Sequence, residues 1–543
     1  MHNKIDRAPE RGAAREMASL HRSITWVDAF WVASGSPALI LFTIGAVAAT
    51  VGNPSWVVWT VSITFGFLQC FTYAEIAGLF PNKSGGASIY GAIAWVGYGK
   101  LLAPISVWCN WIAWSPVLAL GTGLASGYML SILFAPNSVV NSWQLTLVDL
   151  QWIRGGLTLR INANAILAAV LLLGIFAVQH RGILSAARVQ MIFAISSLLP
   201  LILIGLVPLV TGDLPLEHFI PFAPLAHDVF GKPAPGAWTL KGFTVIAGGL
   251  FIAGYSTYGF ETAVCYTREF RDPARDTFRA IFSSGLLCLF VFTLVPVAFQ
   301  GALGLAGMLD PGIHSGMGVG KAMATIVGAT GLLENIIVVM LVMTLLLSIM
   351  TAMAGSSRTL YQGAVDGWLP RYLGRVNSHG APVRAMATDL VFNLILLMLS
   401  DNIFVLAASN VAYMIFIFMN LNAGWIHRID RPNWARPFRA PTWLLATGAV
   451  LGYVNLFIIG MGADIWGPGT LMSGLLLAAM IIPVFWWRHY VTDRGVFPQS
   501  MLDDMFLAKE ADHRRGRSAG ILPYLALAGG VIVLAAGHAI ARF

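Results

Sequence analysis

Charge is scarce in this chain of 543 residues: Asp, Glu, Lys and Arg make up 11%, against 57% hydrophobic residues. That balance excludes an ordinary soluble domain. Cysteine is scarcer still, with only Cys70, Cys109, Cys265 and Cys288. They form no CxxC pair and no metal-ligand spacing, so they read as packing thiols and no metal site is expected. GxSxG, HExxH, a Walker lysine loop and carboxylates paired at helical spacing within an apolar run are all missing. No enzyme and no cofactor are therefore expected. The segment 1–24 has no apolar core of its own, which argues against a cleavable signal peptide.

What the chain has is apolar runs of about 20 residues, the length that crosses a bilayer as a helix. They fall near 25–50, 55–80, 98–134, 162–180, 187–211, 242–267, 280–305, 333–357, 383–400, 403–427, 442–463 and 467–487, with a further run at 520–541. An all-α polytopic membrane protein is expected, with the lipid bilayer as its surroundings. The basic residues set its orientation. Lys4, Arg7, Arg11, Arg15 and Arg22 precede the first span, and Arg428, Arg431, Arg436 and Arg439 follow the tenth. The positive-inside rule then places the N-terminus in the cytoplasm of a cell whose plasma membrane holds the protein. Arg514, Arg515 and Arg517 keep the 488–519 linker inside and send the C-terminus outside. The net charge of +8 is accounted for by this orientation, and no nucleic-acid partner is needed.

Two spans contain weak spots. In the sixth, Ala253-Gly254-Tyr255-Ser256-Thr257-Tyr258-Gly259 has two glycines, four hydroxyls and no leucine. In the first, Ala33-Ser34-Gly35-Ser36-Pro37 precedes a long apolar run, and Pro37 suits the first position of a new helix capped by Ser36. Irregular backbone survives in a membrane only where protein buries it or it lines a cavity. Two interrupted spans at corresponding positions of two halves mark the site of an inverted-repeat transporter. Other candidates lie nearby. Asn110 and Trp114 share a helical face in the third span. Asn410, Tyr413 and Asn420 lie in the tenth, divided between pocket and packing. Glu261, below the second weak spot, is costly in a membrane and calls for a partner, a cytoplasmic Arg, or for a role as a proton-linked gate. His218 and His227, in the proline-rich outer loop 212–241, read as solvated.

Three blocks resemble the amino acid–polyamine–organocation (APC) superfamily. The second span ends Tyr73-Ala74-Glu75-Ile76-Ala77 and runs through Phe80-Pro81 to Gly85-Gly86 and Tyr90. The sixth passes through Gly259-Phe260-Glu261 to Glu269, Asp272-Pro273 and Ala280-Ile281. The eighth leads through Ser357-Arg358-Thr359-Leu360-Tyr361 to Asp366-Gly367-Trp368-Leu369-Pro370 and Pro382. The resemblance implies a leucine-transporter-like fold: inverted five-helix repeats at 25–211 and 242–427, then two spans at 442–487, making 12 core spans with a thirteenth at 520–541. It also implies an amino acid substrate between the broken first and sixth spans, beside Ser34, Gly35, Ser36, Ala38, Ala253, Gly254, Tyr255, Ser256 and Tyr258, with Asn110 and Trp114 as lining. Where the family shows G-S-G, this chain has Gly35-Ser36-Pro37, and proline removes one N–H donor.

The physical logic runs the same way. A helix start offers N–H groups and a positive dipole end to a carboxylate, and freed carbonyls accept from an ammonium group. An amine, choline or polyamine permease would keep the fold but want acidic pocket residues. A non-transporting sensor would keep the pocket as well. For the driving ion, Na+ could use Ser197 with Ser348 and Thr351, and H+ could use Glu261. The fifth span has Ser197 where some proton-coupled members of the family carry lysine, which argues against a lysine-switched proton mechanism; none of the hydroxyls is diagnostic for sodium, which favours exchange or facilitated uptake.

Overall fold

The computed structural model describes residue 20 and residues 22–135, 137–227, 232–510 and 519–543. The basic residues Lys4, Arg7, Arg11, Arg15, Arg514, Arg515 and Arg517 lie outside them. The chain is a bundle of long apolar helices, as its composition requires. In lipid only a helix or a closed barrel satisfies its own backbone groups. Short helical turns in connections are left unnumbered below.

The first span is two helices, α1 (Trp26–Ala33) and α2 (Ile40–Val51), joined by a 3-10 turn over Ser36–Leu39. Thr25 starts α1 with a reciprocal capping box to Asp28, which satisfies two of the free donors at its first turn. After α3 (Ser55–Gly78) and the short α4 (Ala87–Trp95), the third span divides at Pro116 into α5 (Leu102–Trp114) and α6 (Pro116–Leu133). A hairpin, Gln144–Asp149 with Thr158–Asn162, leads to α7 (Ala163–Gln179) and α8 (Ile183–Thr211). The 212–241 loop folds into a second hairpin, Leu225–His227 with Pro233–Pro235. Within it His218 is not solvated as expected: it is half-buried and bonds the Gly301 carbonyl.

The sixth span is α9 (Leu240–Thr257) followed by a 3-10 helix, Gly259–Glu269. Then come α10 (Pro273–Met308), α11 (Leu332–Val365), α12 (Val383–Leu396) and α13 (Asn402–Asp430). The chain closes with α14 (Thr442–Gly462), α15 (Thr470–Ala479), α16 (Gln499–Glu510) and α17 (Leu522–Ile540). The overlong third run crosses as α5 and α6 together.

Among the described residues, eleven helical stretches are long and apolar enough to cross a membrane. Two of the thirteen expected spans fall short. The fourth is the 17-residue α7, and the ninth is the 14-residue α12, which carries Arg384 and Asp389. Burial orders the rest. In the most apolar window of the first span 94% of residues are buried, against 22% in α17. The first span is thus the axis of the bundle. The last helix lies at its edge, packed on α14.

Candidate functional site

Pro37 cannot donate a backbone hydrogen bond and ends the α-ladder of the first span. The chain answers with a tighter turn, in which Ala38 N–H bonds the Gly35 carbonyl (3.1 Å). The α-helix resumes at Ile40, later than the expected Ser36-Pro37 start, and Ser36 does not act as its cap. The buried Ser36 hydroxyl has no hydrogen-bond partner among the described residues. Ser34 turns back onto the Trp31 carbonyl (2.6 Å). Gly35 is tight against α11, where a Cβ would run into Thr351 Oγ1 and the Leu347 carbonyl. Thr351 in turn donates to the Val32 carbonyl (2.5 Å), so an eighth-span hydroxyl holds the break in the first.

In the sixth span the break sits lower than expected. Ala253, Gly254, Tyr255 and Ser256 belong to α9, and α-geometry ends only at Thr257. Packing explains why the hydroxyls did not unwind it. Ser256 donates to the Leu39 carbonyl (2.8 Å) and meets Thr43 Oγ1 (3.0 Å), Thr257 meets Ser62 (2.8 Å), and Tyr255 donates to the Ala113 carbonyl (3.1 Å). The eleven-residue 3-10 helix that follows is unusually long, since such runs rarely exceed three or four residues and often mark hinges. The two breaks touch. Gly259 lies against Leu39, and a Cβ there would also meet the Trp114 ring.

Glu261 stands at this junction, 1% exposed. Its expected partner was an arginine, but Asn110 Nδ2 (3.1 Å) and Trp114 Nε1 (2.9 Å) both donate to Oε1. Asn110 and Trp114, one turn apart on α5, are thus brought to the site as a pair. Glu261 Oε2 has no partner among the described residues. The Tyr413 hydroxyl faces the carboxylate but forms no well-made hydrogen bond. Rings of Trp114, Tyr255 and Tyr258 each lie within 6.4 Å of Tyr413, centroid to centroid. A buried carboxylate oxygen left open beside Trp114 and Tyr413, with Tyr255 and Tyr258 packed against Tyr413, can accept a hydrogen bond from an ammonium group or hold a proton, and the rings favour a cation or an apolar side chain.

Other expected residues are placed elsewhere. Ser348 donates to the Leu345 carbonyl of its own helix (2.7 Å). Ala38 is buried, and its N–H is already engaged by the Gly35 carbonyl. The side chain of Ser197 lies outside the described residues. Asn410 bonds the Phe251 carbonyl (2.5 Å), and Asn420 bonds Ser106 (2.9 Å). Asp389 on α12 is fully buried, a carboxylate the sequence reading passed over. The rule that singled out Glu261, an ionisable group in an apolar span, applies to it equally.

The arginine expected at Glu261 is found further along the same 3-10 helix, at Glu269. Arg358 grips Glu269 with two hydrogen bonds, 2.5 and 3.1 Å, at the end of the 3-10 helix. Ser23 and Ile24 N–H groups bond the Glu269 carbonyl there (2.9 and 3.1 Å), tying the start of the first span to the end of the sixth. Nearby, Glu75 pairs with Arg428 (2.6 Å) and Arg436 (3.3 Å). Lys83 pairs with Asp366 (2.5 Å) and with Asp504 of α16 (2.8 Å). Burial pulls the Lys83 ammonium down, but the two carboxylates outweigh it and hold the group above the ordinary lysine range.

A family model described as amino acid permease matches residues 24–485. The chain belongs to the amino acid permease family. Its relatives place this family in the APC superfamily of multi-pass membrane transporters. The chain is similar to the large neutral amino acids transporter small subunit 2 of Homo sapiens, 24% identical over 89% of this chain and 84% of the relative. It is also similar to an uncharacterized transporter of Legionella pneumophila, 25% identical over 65% and 67%. A third relative is a branched-chain amino acid permease of Lactococcus lactis, 22% identical over 64% and 69%. For this permease, then, an amino acid is the substrate class to place in the site.

Proposed function

We propose that this permease moves amino acids across the plasma membrane by alternating access, holding the substrate where the breaks of the first and sixth spans touch. The observation that carries this reading is the open Glu261 Oε2 at that junction. Substrate ammonium would lie toward this oxygen and the carbonyls of the 3-10 helix. Substrate carboxylate would lie toward the Gly35–Leu39 turn and Ser36. The side chain would pack among Trp114, Tyr255, Tyr258 and Tyr413. Relatives named for large neutral and branched-chain amino acids support an apolar side chain. The architecture is read as inverted repeats at 25–211 and 242–427, two further spans at 442–487, a cytoplasmic linker at 488–519 and a thirteenth span at 520–541. The N-terminus is then inside and the C-terminus outside. The basic residues Arg358, Arg428, Arg436 and Lys83 gather at the end where Ser23 and Ile24 enter, which agrees with the positive-inside rule.

The test is counterflow of a labelled panel into vesicles containing the purified protein, with and without sodium and pH gradients. Leucine-type substrates should exchange. A panel in which only amines lacking a carboxylate move would replace this reading with the amine permease, which an open carboxylate among aromatic rings also suits. A reporter after Phe543 should be found outside and one within the linker inside; both on one side would remove the thirteenth span.

A further inference from the structure

The α5 helix serves a second buried carboxylate on its other face. Asn110 and Trp114 donate to Glu261; the next residues along, Trp111 and Ser115, donate to Asp389 Oδ1 at 2.6 and 2.8 Å. Ser356 of α11 donates to Oδ2 at 2.6 Å. All three donors are neutral. Charged and titratable groups on the packed elements are engaged or distant. Arg358 holds Glu269, Arg371 pairs with Asp493, and Tyr372 meets Thr388. Arg384 is exposed, and Tyr361 falls on another face of α11 from Ser356. Cys109 is on α5 two residues before Trp111. Glu334 lies about 33 Å along α11 and Tyr128 about 20 Å along α6, at 1.5 Å per residue.

We infer that Asp389 is a proton-binding site. The hydrogen bonds around it are built to be complete in either protonation state. With Asp389 charged, Ser356 Oγ–H points at Oδ2. When a hydronium ion gives up a proton, leaving water, and an O–H bond forms on Oδ2, that group donates to Ser356 Oγ, and the Ser356 hydrogen swings to the Met353 carbonyl, 3.5 Å away. Oδ1 keeps Trp111 and Ser115 throughout. One positive charge is taken up and no polar group is stranded, which is what a reversible proton site in a dry interior requires. A purely structural acceptor would not need a carboxylate here. An asparagine could accept from Trp111 and Ser115 and donate to Ser356, without the cost of burying a charge.

The site also sits where a charge change can be felt. Pro116 interrupts the third span just after Ser115. The Ala119 N–H, which a continuous helix would send to Ser115, goes instead to Asn393 Oδ1 of α12 (3.0 Å), and Asn393 Nδ2 bonds Ser115 Oγ (2.8 Å). Asp389 and Asn393 therefore hold the junction between α5 and α6, and the neighbouring side of α5 carries the two donors to Glu261.

The test is an infrared pH titration of the full-length purified protein carrying carbon-13 labelled aspartate. It needs no substrate, so its outcome is separate from that of the transport assay. A protonated-aspartate band should grow as pH falls from about 9 to about 4. The part of this growth that belongs to Asp389 should persist in Glu261→Gln and be missing in Asp389→Asn, which keeps only the growth of the other aspartates near pH 4. Ser356→Ala removes one donor to the charged form and should move the midpoint upward by about one to two pH units. An unchanged band in Asp389→Asn, or an unmoved midpoint in a folded Ser356→Ala, overturns the inference.

Discussion

The middle of the bundle and its basic end treat buried carboxylates in opposite ways. At the end, Glu75, Glu269 and Asp366 each face a cation at 2.5–2.6 Å. In the middle, Glu261 and Asp389 face only neutral donors. A paired charge fixes a geometry, and removing one partner strands the other. A carboxylate held by neutral donors can gain or lose a proton, or take up a ligand, without stranding anything. On the function proposed above, the end keeps its shape and the middle changes state.

Substitutions in the middle should therefore abolish transport without unfolding the protein. Gly35→Leu and Gly254→Leu should both stop uptake in vesicles while leaving a monodisperse protein. The contacts separate them. Gly35 abuts a backbone carbonyl, whereas Gly254 meets only side chains, the flexible end of Met414 and the edge of the Tyr258 ring, so Gly35→Ala should already disable transport and Gly254→Ala should weaken it far less. Normal transport by either leucine variant would mean that its break is only packing.

At the end the expected loss is one of stability. Arg358→Gln leaves Glu269 buried and alone, at a cost of about 3–5 kcal/mol, which a thermal melt in detergent will register. Little change in the melt would place that pair among the ornamental ones. Glu261→Gln comes next. It keeps the acceptor for Asn110 and Trp114 but loses the open oxygen, so substrate affinity should fall roughly 10- to 100-fold with little change in melting. Saturation binding measures it, and unaltered affinity would move the site away from Glu261.

The smallest effect belongs to Asp504, which is partly exposed and only one of two carboxylates on Lys83. Asp504→Asn should cost about 1 kcal/mol or less. The pH dependence has a definite sign. The two carboxylates hold the folded Lys83 ammonium above its ordinary value of 10.5, so its contribution is fully present below that value and is lost as pH rises through the folded one. Melting temperature should hold at about pH 8 and decline beyond about pH 10.5, less steeply in Asp504→Asn. An identical decline in both would take Asp504 out of the lock.

The residues that made the family legible are mostly those of the basic end. Glu75, Tyr90, Glu269, Arg358 and Asp366 all come from the resembling blocks, and all join the end network; Tyr90 donates to the Val264 carbonyl at 3.0 Å. Their spacing is set by local backbone, which sequence displays. The site was harder to read because it depends on partners far apart in the chain. Asn110 and Trp114 could be placed on one face, but nothing in their neighbourhood says that Glu261 completes the set. Composition suggested that Ser256 and Thr257 would unwind the sixth span. Instead Leu39, Thr43 and Ser62 satisfied their hydroxyls and the helix held. The short α12 read as an ordinary span because Asp389 is one residue among apolar ones. Its three donors lie on two other spans.

The long 3-10 segment also acts as a store of length. A 3-10 helix rises about 2.0 Å per residue and an α-helix 1.5 Å. Rewinding Gly259–Glu269 as α-helix would shorten its eleven residues by about 5 Å, roughly one α-turn. One end of that segment is at Gly259 beside Leu39; the other is clamped to Arg358 and to the start of the first span. A change of hydrogen-bond register inside it would act like a drawn cable, hauling the clamped end toward the membrane middle with no rigid body having to tilt.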